Sequence, residues 1–485
     1  MLSSSYFITL GLFAWTTLSS SNHANALSSP REAPEGMGKE RYDRHRLLRL
    51  DRSPQALQLV QNEDLDVWSE MADTIDILAS PTELHELQSR NISFNPIPLN
   101  LQSALDDEDH RLFSATSTAN NALLRQSPRI SPVNPLSDKY FDDFRPLDQI
   151  TGWIHTIASA HPSWVTLVQS IGSSVQNRPI SALHITSSSG RVPYQAKKRI
   201  WIQSLVHARE WIGVTSVQWC IRRLLLLAQS EDPIILDLLD KVEFIFVPLA
   251  NPDGYHYSWT SDRLWRKNRK SLHNGSIGVD LNRNWPNHWG MGGTSKRPDS
   301  DTFRGSSAAS EPEIQSLMTH YANTGNIIAA LDVHSFSQVI LFPPGWTHDA
   351  SVDAKAFEAC GRAIQSSIRQ VRNIVYTPQR ISQFYIASGS SVDWWYDTES
   401  LTRVGSPRPY ALAMELSPSS AEARRNSTVG FIVNPSLIRA IGDDLYAGIL
   451  ALAHHALAHP LGLVEMDTTS IANRSMNISI PDAGR

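Results

Sequence analysis

His207-Ala208-Arg209-Glu210 sets an imidazole and a carboxylate three residues apart, directly behind the apolar run that begins at Trp201. Side chains so spaced can reach one divalent cation, and His with Glu is a donor pair that suits zinc. The pair is weak evidence by itself. With 17 His in the chain, about one chance H-x-x-E is expected at this length, and a polar loop behind a strand is the plainer alternative. Its weight depends on what else reaches the same place. His334 follows the apolar run Ile327–Val333, and Glu415 follows Tyr410–Met414. Ligand sites in open α/β sheets lie beyond the carboxyl ends of the strands, so three separate stretches deliver His, His and Glu to one sheet edge. Two imidazoles and a carboxylate leave a fourth zinc position open to water, the catalytic rather than the structural arrangement. A closed site would more readily use thiolates, and the chain has only Cys220 and Cys360.

A zinc hydrolase needs further groups. Glu415 is the candidate base for the water. A cation is needed where charge develops on an attacked carbonyl, and an anchor is needed for the substrate. "DRLWRKNR" (Asp262–Arg269) and "GVDLNRNW" (Gly278–Trp285) bring Arg266, Asn282 and Arg283, and a guanidinium grips a carboxylate through two parallel hydrogen bonds. Each arginine alone reads as a solvated surface charge. Together, flanked by Trp265 and Trp285, they read as a cleft.

The elements that must position these groups are legible in the hydrophobic pattern. "KRIWIQSLV", "VEFIFVPLA", "NIIAALDV" and "VILFPP" are short apolar runs of the kind found in buried strands. Helical spacing covers "LDQITGWIHTIASAHP", Gly213–Gln229, Ala354–Val371 and Leu437–Ala456. "TLVQSIGSSVQNRPISALHIT" reads as a hairpin turning at Gln176-Asn177. The expected fold is α/β, a mixed sheet flanked by helices over residues 138–459. Before it, residues 27–113 form a small α+β unit in which helical and extended patterns alternate, after a charged, loose stretch "APEGMGKERYDRHR". Residues 114–137, rich in Ser, Asn and Pro, read as an exposed linker in which Arg125 and Arg129 are open to a processing protease. Residues 460–485 form a polar tail.

Composition narrows the class. The 485 residues carry a net charge of −5, which points to neither nucleic acid nor an anionic membrane as partner. Tyr6–Leu18 is an apolar run of signal-peptide length followed by the small-x-small "ANA" (Ala24–Ala26), although the preceding segment lacks Lys or Arg. Residues 1–26 are therefore expected to be a cleaved secretory signal, with an extracellular or vacuolar-lumen destination. Sequons at Asn91, Asn274, Asn426, Asn473 and Asn477 fit that route. Cys220 lies in an apolar helical stretch and reads as a buried free thiol; a disulfide to Cys360 is the alternative.

"HAREW", "NPDGY" (Asn251–Tyr255), "LWRKNR", "GVDLNRNW", "LDVHSFSQ" (Leu331–Gln338) and "ASGSSVDW" (Ala387–Trp394) occur in an order that resembles the zinc carboxypeptidases of the pancreatic A/B type. The resemblance runs from about Asp138 to about His459. It implies an eight-stranded-type twisted sheet and one zinc per chain, held by His207, Glu210 and His334. It makes Glu415 the residue that activates the water and shuttles its proton, and Arg266 the group that polarises the scissile carbonyl, with Arg209 nearby. Asn282, Arg283 and Tyr385 would hold the C-terminal carboxylate of a peptide or protein substrate, and Val392 would lie at the floor of a specificity pocket favouring large apolar residues. The leading α+β unit with its "LDVW" is similar to that family's activation segment, which implies a zymogen.

Some positions depart from the family pattern. Phe336 stands where Tyr is frequent, Ile386 replaces a polar residue beside Tyr385, and Ser417-Pro418 replaces Arg-Asp after Glu415. Extra residues flank Glu415 ("TESLTRVGSPRPY" before, "SPSSAEARRNST" after) before "GFIVNP" restores the match. A fungal branch associated with cell-wall biogenesis is also similar but lacks the catalytic Glu. The alternative function is accordingly a zinc-binding homologue without peptidase activity; an amidase of cell-wall peptides fits less well because the full carboxylate anchor is present.

Overall fold

The computed structural model describes residues 39–63, 65–70, 73–113, 134–397, 407–419, 422 and 430–462. The expected signal, Arg125, Arg129, most of the linker and the tail beyond 462 lie outside the described residues, as do most of the insertions around Glu415. Among the described residues no helix is long and apolar enough to cross a membrane.

An N-terminal module is built on strands β1 (Arg46–Asp51), β2 (Asp66–Glu70), β3 (Thr74–Ala79) and β4 (Phe94–Pro96), in the antiparallel order β2-β3-β1-β4. Strand alternation gives this sheet two apolar faces. Leu48, Leu50, Ile75 and Ile77 pack with Ala56, Leu59 and Leu87 of the helices Pro54–Glu63 and Pro81–Ser89. Leu47 and Leu78 point the other way and join Trp68 with Leu101 and Leu105 of the helix Leu101–Phe113. That second face continues onto Leu264, Phe336, Phe431 and Ile432 of the larger domain. β1 and the residues leading to it correct the expectation of a loose segment. Lys39 pairs with Asp109 at 2.6 Å, and the Tyr42 hydroxyl donates to Asp262 at 2.8 Å. "RLLRLD" carries charge at both ends, which hides a central strand whose Leu residues are buried on both faces.

The larger domain contains the eight strands β5 (Val165–Ser173), β6 (Pro179–Ile185), β7 (Lys198–Ser204), β8 (Val242–Val247), β9 (Ile327–Ser335), β10 (Val339–Phe342), β11 (Thr377–Arg380) and β12 (Tyr410–Leu416). Their order is β11-β10-β12-β9-β7-β8-β6-β5. β8, β7, β9 and β12 run parallel in its middle, and antiparallel pairs flank them. Parallel neighbours need long crossovers, supplied by helices on both faces. Ile200 and Ile202 of β7 face the helices Trp211–Gln229, Ala354–Arg372 and Ile438–Ala458, whereas Trp201 faces the helix Pro312–Thr324. A strand buried on both sides reads as a continuous apolar run, which is why these strands were legible.

Two boundaries differ from expectation. β9 and β12 extend past their apolar runs, so His334 and Glu415 lie within the strands rather than after them. The ladder between the two strands continues through Glu415↔His334 and Leu416↔Ser335; backbone pairing carries each strand beyond its last apolar side chain. Cys220 and Cys360 are free and buried, in agreement with the thiol reading.

Candidate active site

β7, β9 and β12 end side by side, and each delivers a chemical group to the same edge. After β7 the chain turns through Leu205 (φ +59°), a left-handed conformation that costs a β-region residue about 1 kcal/mol or more. The turn brings His207 back to the sheet edge, and Glu210 follows as the residue immediately before the helix Trp211–Gln229. A carboxylate there meets the positive end of the helix dipole. Its side chain makes no cap hydrogen bond and is directed instead at the two histidines.

The geometry is compact. His207 Nδ1 lies 2.8 Å from Glu210 Oε1, His334 Nδ1 lies 3.0 Å from Glu210 Oε2, and the two Nδ1 atoms are 3.1 Å apart. His207, Glu210 and His334 offer donor atoms within 4.8 Å of one another, and all three are buried. On the far side of each ring a carboxylate waits: Asp280 Oδ1 at 3.4 Å from His207 Nε2, and Asp332 Oδ2 at 3.2 Å from His334 Nε2. With the ring protons on Nε2, toward these carboxylates, both Nδ1 lone pairs face each other, an arrangement that repels unless a cation sits between them. The surrounding charges point the same way. Burial disfavours the charged forms, yet the two imidazoles hold the Glu210 carboxyl well below its usual range. Asp332 and Glu210 lift His334 well above the ordinary histidine range against the same burial. The donor set fits zinc with one position open.

Glu415 faces the same cleft from β12, in register with His334. Burial, opposed by His334 and reinforced by Glu210, pushes its carboxyl up to about 8, and a cation on the neighbouring His–Glu–His group would draw it back toward the range of a general base near neutral pH. Arg266 is pinned by Asp280, with Nε and Nη2 at 3.2 and 3.0 Å from Oδ2. Asp280 thereby holds both a histidine and an arginine of the site. Arg283 is oriented by two backbone carbonyls, Gly293 O at 2.7 Å and Asn282 O at 2.9 Å, and lies over the Tyr385 ring at 5.7 Å. Gly389 (φ +71°) packs against that segment, where an added Cβ would meet Arg283 O at 2.5 Å.

Glu415, Arg266, Arg283 and Tyr385 line a cleft of ≈650 Å³ together with His207 and Glu210. A narrow chamber of ≈20 Å³ opens among Asn282, Arg283, Tyr385, Leu341, Ile381 and Val392. Arg209 also lines the cleft but is 2% exposed, because Asp66 of the N-terminal module engages it at 3.1 and 3.3 Å and Asp301 approaches it at 3.3 Å. Burial and the adjacent Asp66 push Asp301 up to about 6.

A family model described as zinc carboxypeptidase matches residues 150–448. The chain belongs to the zinc carboxypeptidase family. Relatives include zinc carboxypeptidase A 1 of Anopheles gambiae, 31% identical, with 86% of this chain and 91% of that one covered. Carboxypeptidase A4 of Mus musculus is 30% identical, with 81% and 88% covered. Among solved structures, carboxypeptidase A from Helicoverpa armigera matches with a TM-score of 0.72 at 28% identity, covering 86% of this chain and 98% of that one. Thrombin activatable fibrinolysis inhibitor matches with a TM-score of 0.70 at 26% identity, covering 86% and 100%. This metallocarboxypeptidase thus has the mixed eight-stranded sheet and zinc chemistry of its family, and the His207–Glu210–His334 group is where one ion can be held.

All ten residues singled out in the sequence are brought to this cleft or its side chamber. Two were missed. Asp280 lies inside "GVDLNRNW", two residues before Asn282, and Asp332 lies two residues before His334 on the same strand. Strand alternation is the signal that could have found Asp332, since residues i and i+2 share a face. Replacing His334 by Ala should abolish stoichiometric zinc, read by elemental analysis of the dialysed protein; full retention would remove the ligand assignment.

Proposed function

We propose that this carboxypeptidase is a secreted zymogen that removes apolar residues from the C-termini of peptides and proteins. The observation that carries the reading is the registered pair Glu415↔His334, which sets a carboxylate of raised pKa beside the His207–Glu210–His334 group. His207, Glu210 and His334 would hold a zinc ion, which would supply a Lewis acid and bring the pKa of the attacking water near 7. Glu415 accepts a proton at its carboxylate and returns it to the leaving amine, one group serving both steps. Arg266, kept in place by Asp280, faces the scissile carbonyl and stabilises the charge that grows on its oxygen. Arg283, with Asn282 and Tyr385, grips the terminal carboxylate. The terminal side chain enters the chamber beside Leu341, Ile381 and Val392, whose apolar walls favour uncharged, apolar ends.

Latency is supported by how the N-terminal module sits. Asp66 covers Arg209, and Trp68 contacts Phe336 and Phe431 with ring centroids 6.5 and 5.0 Å away. Glu108 meets Arg263 at 2.6 Å with both side chains buried. Removing either partner of such a pair leaves an uncompensated charge, at a cost of about 3–5 kcal/mol, so the module is held firmly. Secretion is supported by the apolar Tyr6–Leu18 run and by the exposed sequon residues Asn91 and Asn274; Asn426, Asn473 and Asn477 lie outside the described residues.

Glu415→Gln should leave zinc content intact while kcat falls by at least about a hundredfold, the usual scale of lost acid–base catalysis. Equal, negligible turnover by the trimmed parent and this variant across varied peptides would place the chain with the catalytically silent branch. Cutting the chain between residues 114 and 137 should raise the rate on a peptide by about tenfold or more, since occlusion worth only about 1.4 kcal/mol already gives that factor; equal rates before and after would remove the inhibitory role of the module. In specificity profiling, Val392→Asp should turn the preference from Leu toward Lys or Arg, because a cationic end is desolvated without a partner in the native pocket. A native enzyme that prefers C-terminal Lys would refute the pocket assignment.

A further inference from the structure

We infer that Asp332 is a positioning residue for His334 and ties that ligand to the wall of the specificity pocket. The inference rests on zinc ligation by His207, Glu210 and His334 as proposed above. Asp332 is fully buried on β9, on the same face as His334. Its Oδ2 approaches His334 Nε2 at 3.2 Å, on the side of the ring opposite the Nδ1 that meets Glu210. With Nδ1 turned toward a cation, Nε2 keeps its proton; Asp332 Oδ2 at 3.2 Å is the carboxylate beside it, with Asn282 Nδ2 at 3.4 Å, and this pairing sets the tautomer and the ring plane.

The same Oδ2 accepts from Gln203 Nε2 at 3.0 Å and from Ser391 Oγ at 2.5 Å. Trp201 Nε1 donates to Gln203 Oε1 at 3.1 Å, so the amide presents its nitrogen to Asp332. Two donors thus converge on one oxygen with His334 Nε2 3.2 Å from it, while Oδ1 is buried without a hydrogen-bond partner. Packing alone would be better served by an apolar side chain of this size, since an unsatisfied buried polar atom is costly. The arrangement is that of a carboxylate set against a ligand imidazole.

The coupling follows from Ser391. This residue opens the short helix Ser391–Tyr396, and its backbone N–H donates to Asn282 Oδ1 at 3.0 Å. Val392, the next residue, lines the chamber. One carboxylate therefore joins the metal ligand to the residue that meets the substrate's terminal carboxylate and to the one that meets its side chain. Displacement of this helix by a poorly fitting substrate reaches His334 through the Ser391–Asp332 hydrogen bond and the Asp332–His334 contact.

The test measures zinc affinity of the full chain by chelator competition, alongside the unfolding midpoint of the zinc-free protein. Asp332→Asn keeps size and shape but removes the charge. Loss of an outer-shell partner typically weakens metal binding about 10- to 100-fold, and that loss is expected here with the zinc-free midpoint little changed. Ser391→Ala, assayed after removal of the N-terminal module, should weaken zinc several-fold and raise KM for a peptide more than it lowers kcat. A lower zinc-free midpoint with zinc affinity within about threefold of the parent would show a packing role only and overturn the inference. Should Asp332→Asn fail to fold, parental zinc affinity and KM in Ser391→Ala would overturn it as well. Zinc binding is read without turnover, so a parent that binds zinc but cleaves nothing removes the proposed activity and not this assignment.

Discussion

Buried negative charge is the constraint around which this molecule is arranged. Glu210, Asp280, Asp332 and Glu415 are all buried at one sheet edge. Isolated carboxylates in such surroundings cost several kcal/mol each unless they are paired and hydrogen-bonded. Asp280 is satisfied by Arg266 and the Asn282 backbone N–H, with His207 beside it, and Asp332 by Gln203 and Ser391, with His334 beside it. Glu210 has only the two imidazoles and the Ser335 backbone N–H. Glu415 meets the same demand differently, by holding its proton more tightly. A divalent cation at the His–Glu–His group would complement this charge and, by lowering the pKa of the neighbouring Glu415, would make it available as a base.

The sheet makes this concentration of charge affordable. Parallel pairing in the middle aligns the carboxyl ends of β7, β9 and β12, and apolar helices on both faces keep the frame rigid. Groups far apart in sequence are thereby fixed by backbone ladders rather than by loops alone. The N-terminal module extends the logic to the cleft. Its sheet uses one face for its own core and the other for contact with Phe336 and Phe431, so it folds and covers with the same strands. Phe336, which lacks the hydroxyl of the frequent Tyr, is one wall of that contact.

The chemistry was legible because its carriers sit at fixed offsets from apolar runs. His207, His334 and Glu415 each follow an apolar run of the kind found in buried strands, with Glu210 three residues behind His207, and the strand ends then pointed to a common edge. What escaped the sequence did so for physical reasons. Asp332 is embedded in "IIAALDV", where a lone acid looks like an interruption of a strand rather than a partner for His334. β1 was hidden by the charges on either side of its leucines. The ends of β9 and β12 were set by ladder pairing, which side-chain polarity does not record. The apolar side of the small chamber is assembled by Leu341, Ile381 and Val392 from three separate elements, which no single stretch of sequence records.

The most direct test of the account is mass spectrometry of an unblocked peptide incubated with the chain trimmed within residues 114–137. The account predicts stepwise loss of residues from the C-terminus, abolished by a chelator, restored by zinc, and absent when the peptide's terminal carboxylate is amidated. Internal cleavage, loss of residues from the N-terminus, or an unchanged peptide in the presence of zinc would contradict it.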